Sequence, residues 1–355
     1  MYPGTGMAED ILVSVLQAYL KPVPTPPGFT SHEIVRRAIE FRSPPRIPYS
    51  FVDPLESDIA EVSFLAPLFS PVAWVPKGEI KFDEWGVGWR GTGRAWGHAD
   101  VSPLADLSAL DDYRFPEVIT SEGWARVGAF VAAANRTGKY VVGADPIASY
   151  ERLRGLMGYE NLMVAMYTDR ERFERLLDKL ADMTIEVVRG YAELGGVHGF
   201  MTWEDWGLQT SLQIRPQQWR EIFKPRYMRI VEAVHQGGMR YVWHSCGYIV
   251  DIIPDMIEIG VDALQLDQPR LMGVDRLASE FGGKMCFWNT VDIQWSSPEA
   301  VGLEEARAEA KHMVESFGRF GGGFIARQYP QPADIGMSHE KHRAIYEAFM
   351  EAGCR

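Results

Sequence analysis

Short runs of apolar residues recur along this chain. Each closes on polar residues and is followed by a longer stretch in which apolar positions return with helical period. Ile47 to Val52 runs to Asp53, Tyr140 to Ala144 to Asp145, and Gly199 to Trp203 to Glu204 and Asp205. Tyr241 to Trp243 runs to His244 and Cys246, Ala263 to Leu266 to Asp267, Met285 to Trp288 to Asn289 and Asp292, and Gly323 to Ala326 to Arg327 and Gln328. Helical periodicity covers about 170–195, 216–237, 249–259, 273–281, 298–318 and 338–352. Strands alternating with helices predict βαβ units and a parallel sheet. Seven strands are counted, and the eighth is expected near 70–100, where Phe82 to Trp89 reads as a hairpin inserted before the next barrel strand. The fold class predicted is α/β, a (β/α)8 TIM barrel. A doubly wound open sheet is the alternative, but no Gly-x-Gly-x-x-Gly follows a strand and no Walker motif is present.

Ahead of the barrel, an apolar stretch from Ile11 to Leu20 and the Pro-rich Lys21–Gly28 predict a helical extension and linker over residues 1–30. Residues 31–355 are then one domain. Ser31 is expected to cap a helix reaching about Phe41, ended by Ser43-Pro44-Pro45.

The net charge of −12 removes nucleic acid and anionic membrane surfaces as partners, since both need a cationic patch. No run of about 18 apolar residues exists to span a bilayer. The first residues lack the basic and apolar regions of a signal peptide, and three widely spaced cysteines make no disulfide framework. A reduced, cytoplasmic protein is expected.

Chemistry is sought where the strands end, because catalytic groups of a (β/α)8 barrel gather there. His244 and Cys246 are two residues apart, so on a strand both point to one face. Imidazole and thiolate together suit Zn²⁺, although the pair lacks a third ligand and both residue types are also common in cores. Glu204 and Asp205 lie between Trp203 and Trp206 at another strand end. One should face the mouth for acid–base work and the other the helix layer, where it could cap a helix; the sequence leaves open which. Asp145, Asp267, Asn289, Asp292, Arg327 and Gln328 share that strand-end position, with a helix cap or rim hydrogen bond as the alternative for each. Cys286 is placed in the barrel core, Cys354 at the surface, and His339 and His342 on a surface helix. Of the 11 tryptophans, most fill the core. Those beside strand ends, Trp206 and Trp243 among them, suit a flat apolar ligand.

These residues carry a resemblance. Trp243-His244-Ser245-Cys246-Gly247 with the Ile252–Asp262 stretch, Glu204-Asp205-Trp206-Gly207, Asp83-Glu84-Trp85-Gly86, Lys224–Tyr227 and Gly321–Ile325 resemble the uroporphyrinogen decarboxylase superfamily over about residues 32–352. The resemblance implies a (β/α)8 barrel. It also implies one of two chemistries. Decarboxylases of the superfamily carry an arginine-rich N-terminal motif, whereas Arg46 to Asp53 here reads Arg-Ile-Pro-Tyr-Ser-Phe-Val-Asp. The sequence is therefore closer to the cobalamin-dependent methyltransferase-like branch, some of whose members hold zinc with a His-x-Cys pair and a later cysteine. His244 and Cys246 match the pair. The last strand offers Ala326 and Arg327 instead of a cysteine, so either Glu204, Asp205, Asp267 or Gln328 completes the site or no metal is held.

The expected function is methyl transfer between a methylated small molecule, such as an aromatic methyl ether, and a corrinoid (cobalamin) carried by a partner protein. Glu204, Asp205, His244, Cys246 and Asp267 are the expected catalytic residues. Asp145, Trp206, Trp243, Asn289, Arg327 and Gln328 are the expected substrate contacts, and His244 and Cys246 the zinc ligands. The sequence leaves the oligomeric state open, a homodimer being one assembly it allows. The alternatives are a decarboxylase of a tetrapyrrole or aromatic acid, with Arg327 and Arg90 pairing carboxylates, and a non-catalytic corrinoid- or tetrapyrrole-binding barrel.

Overall fold

The computed structural model of the chain describes residues 20–51, 56–62, 75–92 and 97–353. The strands are β1 (Tyr49–Ser50), β2 (Ile59–Glu61), β3 (Ile80–Phe82), β4 (Gly88–Arg90), β5 (His98–Val101), β6 (Tyr140–Ala144), β7 (Gly199–Trp203), β8 (Arg240–Ser245), β9 (Ala263–Leu266), β10 (Cys286–Asn289) and β11 (Phe324–Arg327). Eight of them form one parallel sheet in the order β1-β11-β10-β9-β8-β7-β6-β2. The Asp58 N–H donates to the Tyr49 carbonyl at 2.7 Å, which brings β2 against β1 and draws the sheet round into a (β/α)8 barrel.

The two-residue period of each strand sorts its side chains. Ile59, Tyr140, Val142, Met201, Val242, Ala263, Cys286, Trp288 and Ile325 fill the interior. Their sequence neighbours, among them Phe200, Tyr241, Trp243, Leu264 and Phe287, pack outward in the layer shared with the helices. That layer contains α1 (Ser31–Ile39), α2 (Ser121–Arg136), α3 (Ser149–Met157), α4 (Tyr159–Thr168), α5 (Arg170–Leu194), α6 (Lys224–Gln236), α7 (Ile253–Ile259), α8 (Val274–Phe281), α9 (Leu303–Gly318) and α10 (His339–Gly353). α1 departs from the scheme: Val35, Ala38 and Ile39 join the interior cluster and stopper the amino end of the barrel.

Three expectations change. The eighth strand is β2, not a segment of 70–100. Residues 51–58 join it to β1, fewer than the dozen or so that a helical crossover needs. The chain instead turns back, with Ser50 and Ser57 in an antiparallel bridge. The 80–101 region forms a separate antiparallel sheet, β3-β4-β5, so the hairpin is present but holds no barrel strand. α1 is capped by Thr30, whose hydroxyl accepts the Glu33 N–H, while the Ser31 hydroxyl donates to Asp58 at 2.5 Å. His342 is also buried rather than on a surface, its Nε2 3.1 Å from the Tyr329 carbonyl. The helix foreseen over 11–20, apart from Leu20, and Asp53, Trp74, Trp96 and Cys354 lie outside the described residues. No described helix is long and apolar enough to cross a membrane.

Candidate active site at the carboxyl ends of the strands

Inward parity continued past the last ladder pair brings Trp203, Asp205, His244, Cys246, Gln265, Asp267 and Arg327 to the barrel mouth. Trp203 faces His244 in register between β7 and β8. Beyond that pair the two strands turn against each other, and glycine makes the turn possible. A β-carbon on Gly207 would lie 2.3 Å from the Gly247 carbonyl carbon, and Gly247 itself has φ +80°. The Gly207 N–H donates to the Cys246 carbonyl at 3.1 Å, and Asp205 is thereby pressed against Cys246. The glycines that end Glu204-Asp205-Trp206-Gly207 and His244-Ser245-Cys246-Gly247 thus serve one contact.

Asp205 Oδ1 accepts the Cys246 backbone N–H at 2.8 Å and stands 3.7 Å from His244 Nε2, which is 3.6 Å from Cys246 Sγ. One ligand atom from each of the three residues lies within 4.8 Å of the others. His244 Nδ1 is 3.0 Å from Gln265 Oε1. An amide oxygen only accepts, so Nδ1 carries the proton and the Nε2 lone pair faces Asp205 and Cys246. Burial, and next the charges of Asp205 and Asp267, push the Cys246 thiol up. A cation at this cluster would oppose that push. Opposite, Arg327 Nη1 donates to Asp267 Oδ1, both side chains being largely shielded.

The structure does not bring every candidate here. Glu204 is fully buried and points outward, its Oε2 accepting the N–H groups of Tyr150 and Glu151 at 2.9 and 3.2 Å at the start of α3. It caps a helix, and Asp205 is the carboxylate at the mouth. Burial, and after it the neighbouring Asp145 and Glu151, hold the Glu204 carboxyl well above the usual carboxylate range. Asp145 also points outward, accepting from Ile147 N–H and the Thr202 hydroxyl, both at 2.9 Å. Trp206 is stacked on Tyr150 with ring centroids 3.8 Å apart, and Trp243 packs on Tyr227 at 4.3 Å, so neither indole reaches a ligand in the mouth. Asn289 accepts the Leu266 N–H at 3.0 Å, and Gln328 donates to the His342 carbonyl at 2.8 Å, both on the outer side of the barrel wall. Arg90 pairs with Asp100 within the β3-β4-β5 sheet.

Sequence reasoning missed Gln265, which orients His244, and Gln268, whose Oε1 accepts the Gly247 N–H at 2.6 Å. Strand parity was the available signal for Gln265, two residues before Asp267. Nothing local marks Gln268. A rim groove of about 530 Å³, lined by Gln268, Ile293, Gln294, Ser297, Pro298, Ile335 and Gly336, adjoins the mouth on that side.

The pattern that defines the uroporphyrinogen decarboxylase (URO-D) family matches residues 147–326. The chain belongs to the uroporphyrinogen decarboxylase family. The match takes in Asp205, His244, Cys246 and Asp267, and stops one residue short of Arg327. A uroporphyrinogen decarboxylase of Bacillus pumilus (strain SAFR-032) is 23% identical over 188 residues, 51% of this chain and 48% of that protein. The chain therefore aligns with about half the length of this curated relative. Among solved structures, a methyltransferase from Methanosarcina mazei superposes with a TM-score of 0.56 at 16% identity, over 96% of this chain and 90% of that one. At that identity the likeness is one of fold.

Proposed function

We propose that this member of the uroporphyrinogen decarboxylase family is a methyltransferase. It would move a methyl group between a methylated heteroatom of a small molecule and a corrinoid held by a partner protein. The observation that carries the reading is the Asp205–His244–Cys246 cluster at the mouth. A carboxylate, an imidazole and a thiol form a donor set suited to zinc, and bonds of about 2.0 and 2.3 Å at tetrahedral angles put donor atoms about 3.5 Å apart. The 3.6 and 3.7 Å separations from His244 Nε2 fit that spacing. Three protein ligands leave one position open, as catalytic zinc sites do. Zinc, when bound, supplies Lewis acidity toward the heteroatom that carries the methyl group.

The chain's own residues do the rest. Gln265 fixes the imidazole tautomer, as second-shell partners of metal-bound histidines commonly do. The Gly207–Gly247 contact fixes Asp205 against Cys246, and Trp203 walls the cluster on the β7 side. With Glu204 capping α3, Asp205 is the carboxylate that meets the reacting atoms. Arg46 supports the same reading from the other end of the barrel. It is 7% exposed and bound to Asp58 beneath the strands, far from any substrate in the mouth. A polycarboxylate tetrapyrrole would need clustered guanidinium groups there.

The test is metal analysis of chelator-free protein together with a demethylation screen of methyl ethers and methylamines in the presence of a corrinoid protein. About one zinc per chain, lost in Cys246→Ala and Asp205→Ala, with methyl appearing on the corrinoid, is the expected result. Release of carbon dioxide from an aromatic or tetrapyrrole acid without methyl transfer would transfer the site to decarboxylation.

A further inference from the structure

Arg327 offers five N–H donors. Among the described residues it has one hydrogen-bonding partner, Asp267, which accepts from Nη1. The side chain is 12% exposed, and Asp267 5%. The unspent donors reach solvent, so they are free to meet a ligand that enters the mouth. It lies on the inward side of β11, and its charge and that of Asp267 both reach the Cys246 thiol and the phenol of Tyr329. Asp267 holds Nη1 and leaves Nε and Nη2 unspent among the described residues.

We infer that Arg327 is the anion clamp of this active site, and that the substrate is an aromatic methyl ether acid. The inference rests on the methyl-transfer reading and names its substrate class. Carboxylate geometry matches the free fork of an arginine, with two parallel N–H···O bonds. Trp203, at the inner end of β7, offers the ring of such an acid an apolar wall. Asp267 is a positioning residue here, acting through Arg327.

The experiment measures dissociation constants of full-length protein for 2-, 3- and 4-methoxybenzoate and for methoxybenzene, by ligand-observed NMR. The wild type should bind at least one methoxybenzoate ten-fold or more tightly than methoxybenzene. Arg327→Gln should erase that preference while leaving methoxybenzene within two-fold, and Arg327→Lys should restore part of it. Asp267→Asn should weaken the acid alone, in a smaller ratio. Thermal midpoints within a few degrees of wild type establish that the variants fold. Equal affinity for acid and neutral ether in the wild type, a preference that survives Arg327→Gln, or binding of neither probe would overturn the inference. Demethylation of methoxybenzene as efficient as that of the acids would sink the anion clamp and keep methyl transfer. Tight, Arg327-dependent binding of the acids with no methyl reaching a corrinoid protein would do the reverse.

Discussion

At the amino ends of the strands Arg46 and Asp58 form a buried ion pair, and at the carboxyl ends Arg327 and Asp267 form another. The first is saturated. Asp58 accepts from Arg46 Nη1 and Nη2 at 2.6 and 2.8 Å, from the Ser31 hydroxyl at 2.5 Å and from the Tyr49 N–H at 2.8 Å. Arg46 also donates to the Ile47 carbonyl and lies 4.4 Å over the Tyr49 ring. The second has one contact and spare donors. Beside it, among the described residues, Gln265 Nε2 is buried without a hydrogen-bond partner. A polar group buried and satisfied holds a fold together. One that is shielded but incompletely used keeps capacity for a ligand, which is how the two faces of this barrel type divide stability and function.

The sharpest way to break this comparison is to truncate both arginines. Arg46→Ala leaves Asp58 charged and buried, and should cost about 3–5 kcal/mol in urea unfolding. Arg327→Ala should cost less than half as much, and equal losses would erase the distinction. The second test uses acid. Burial, and then His32 with its ring centroid 4.2 Å away, bring His198 down to about 4 from its ordinary 6.5. Its Nδ1 accepts the Val141 N–H at 3.0 Å, and the ring lies near Tyr140 at the amino end. Between those two pH values the unfolded chain takes up a proton that the folded chain refuses, so stability falls as pH drops below 6.5. The loss from this group is up to about 3 kcal/mol, complete near pH 4. A His198→Asn variant, which keeps an acceptor, should lose correspondingly less in urea titrations at pH 7 and 5. A drop as steep as the wild type's would place the acid sensitivity elsewhere.

On the proposed function, Asp205→Asn should abolish zinc uptake and activity while changing stability by less than about 1 kcal/mol, since functional sites are not optimised for stability. A large destabilisation would make Asp205 a structural residue. The smallest effect is expected from Glu204→Gln. Burial already pushes its carboxyl toward the neutral form, and an amide oxygen can still receive the Tyr150 and Glu151 N–H groups. Unfolding should shift by about 1 kcal/mol or less, with activity retained. A loss of activity there would return Glu204 to the chemistry.

The barrel was legible because seven strands end in polar residues and their spacers carry helical period. β2 was not, because Ile59-Ala60-Glu61 is too short to show alternation and no helix separates it from β1. The co-location of His244 and Cys246 followed from strand parity, and so did the division of labour between Glu204 and Asp205, though not which residue took which part. That choice depends on a backbone turn held by Gly207 against Gly247, two residues forty positions apart in sequence. Trp206, Trp243, Asn289 and Gln328 mark the limit of the method. A strand end has an inner and an outer side, and chemical character alone does not distinguish them.

The short return between β1 and β2 leaves the outer flank of the first strand without a crossover helix of its own. α10 lies there: Phe51 meets Tyr346 edge-on at 5.0 Å, and the Ile47 N–H donates to the Gly353 carbonyl at 3.3 Å. Tyr49 likewise finds its ladder partner in Ala326. The first strand is therefore an assembly step that waits for the distant part of the chain. Until α9 and α10 have formed, β1 and its aromatic cluster have no cover, and closure of the ring depends on contacts spanning nearly the whole sequence. Such topology favours slow, late-closing folding in which the opening segment is the last to become protected from hydrogen exchange.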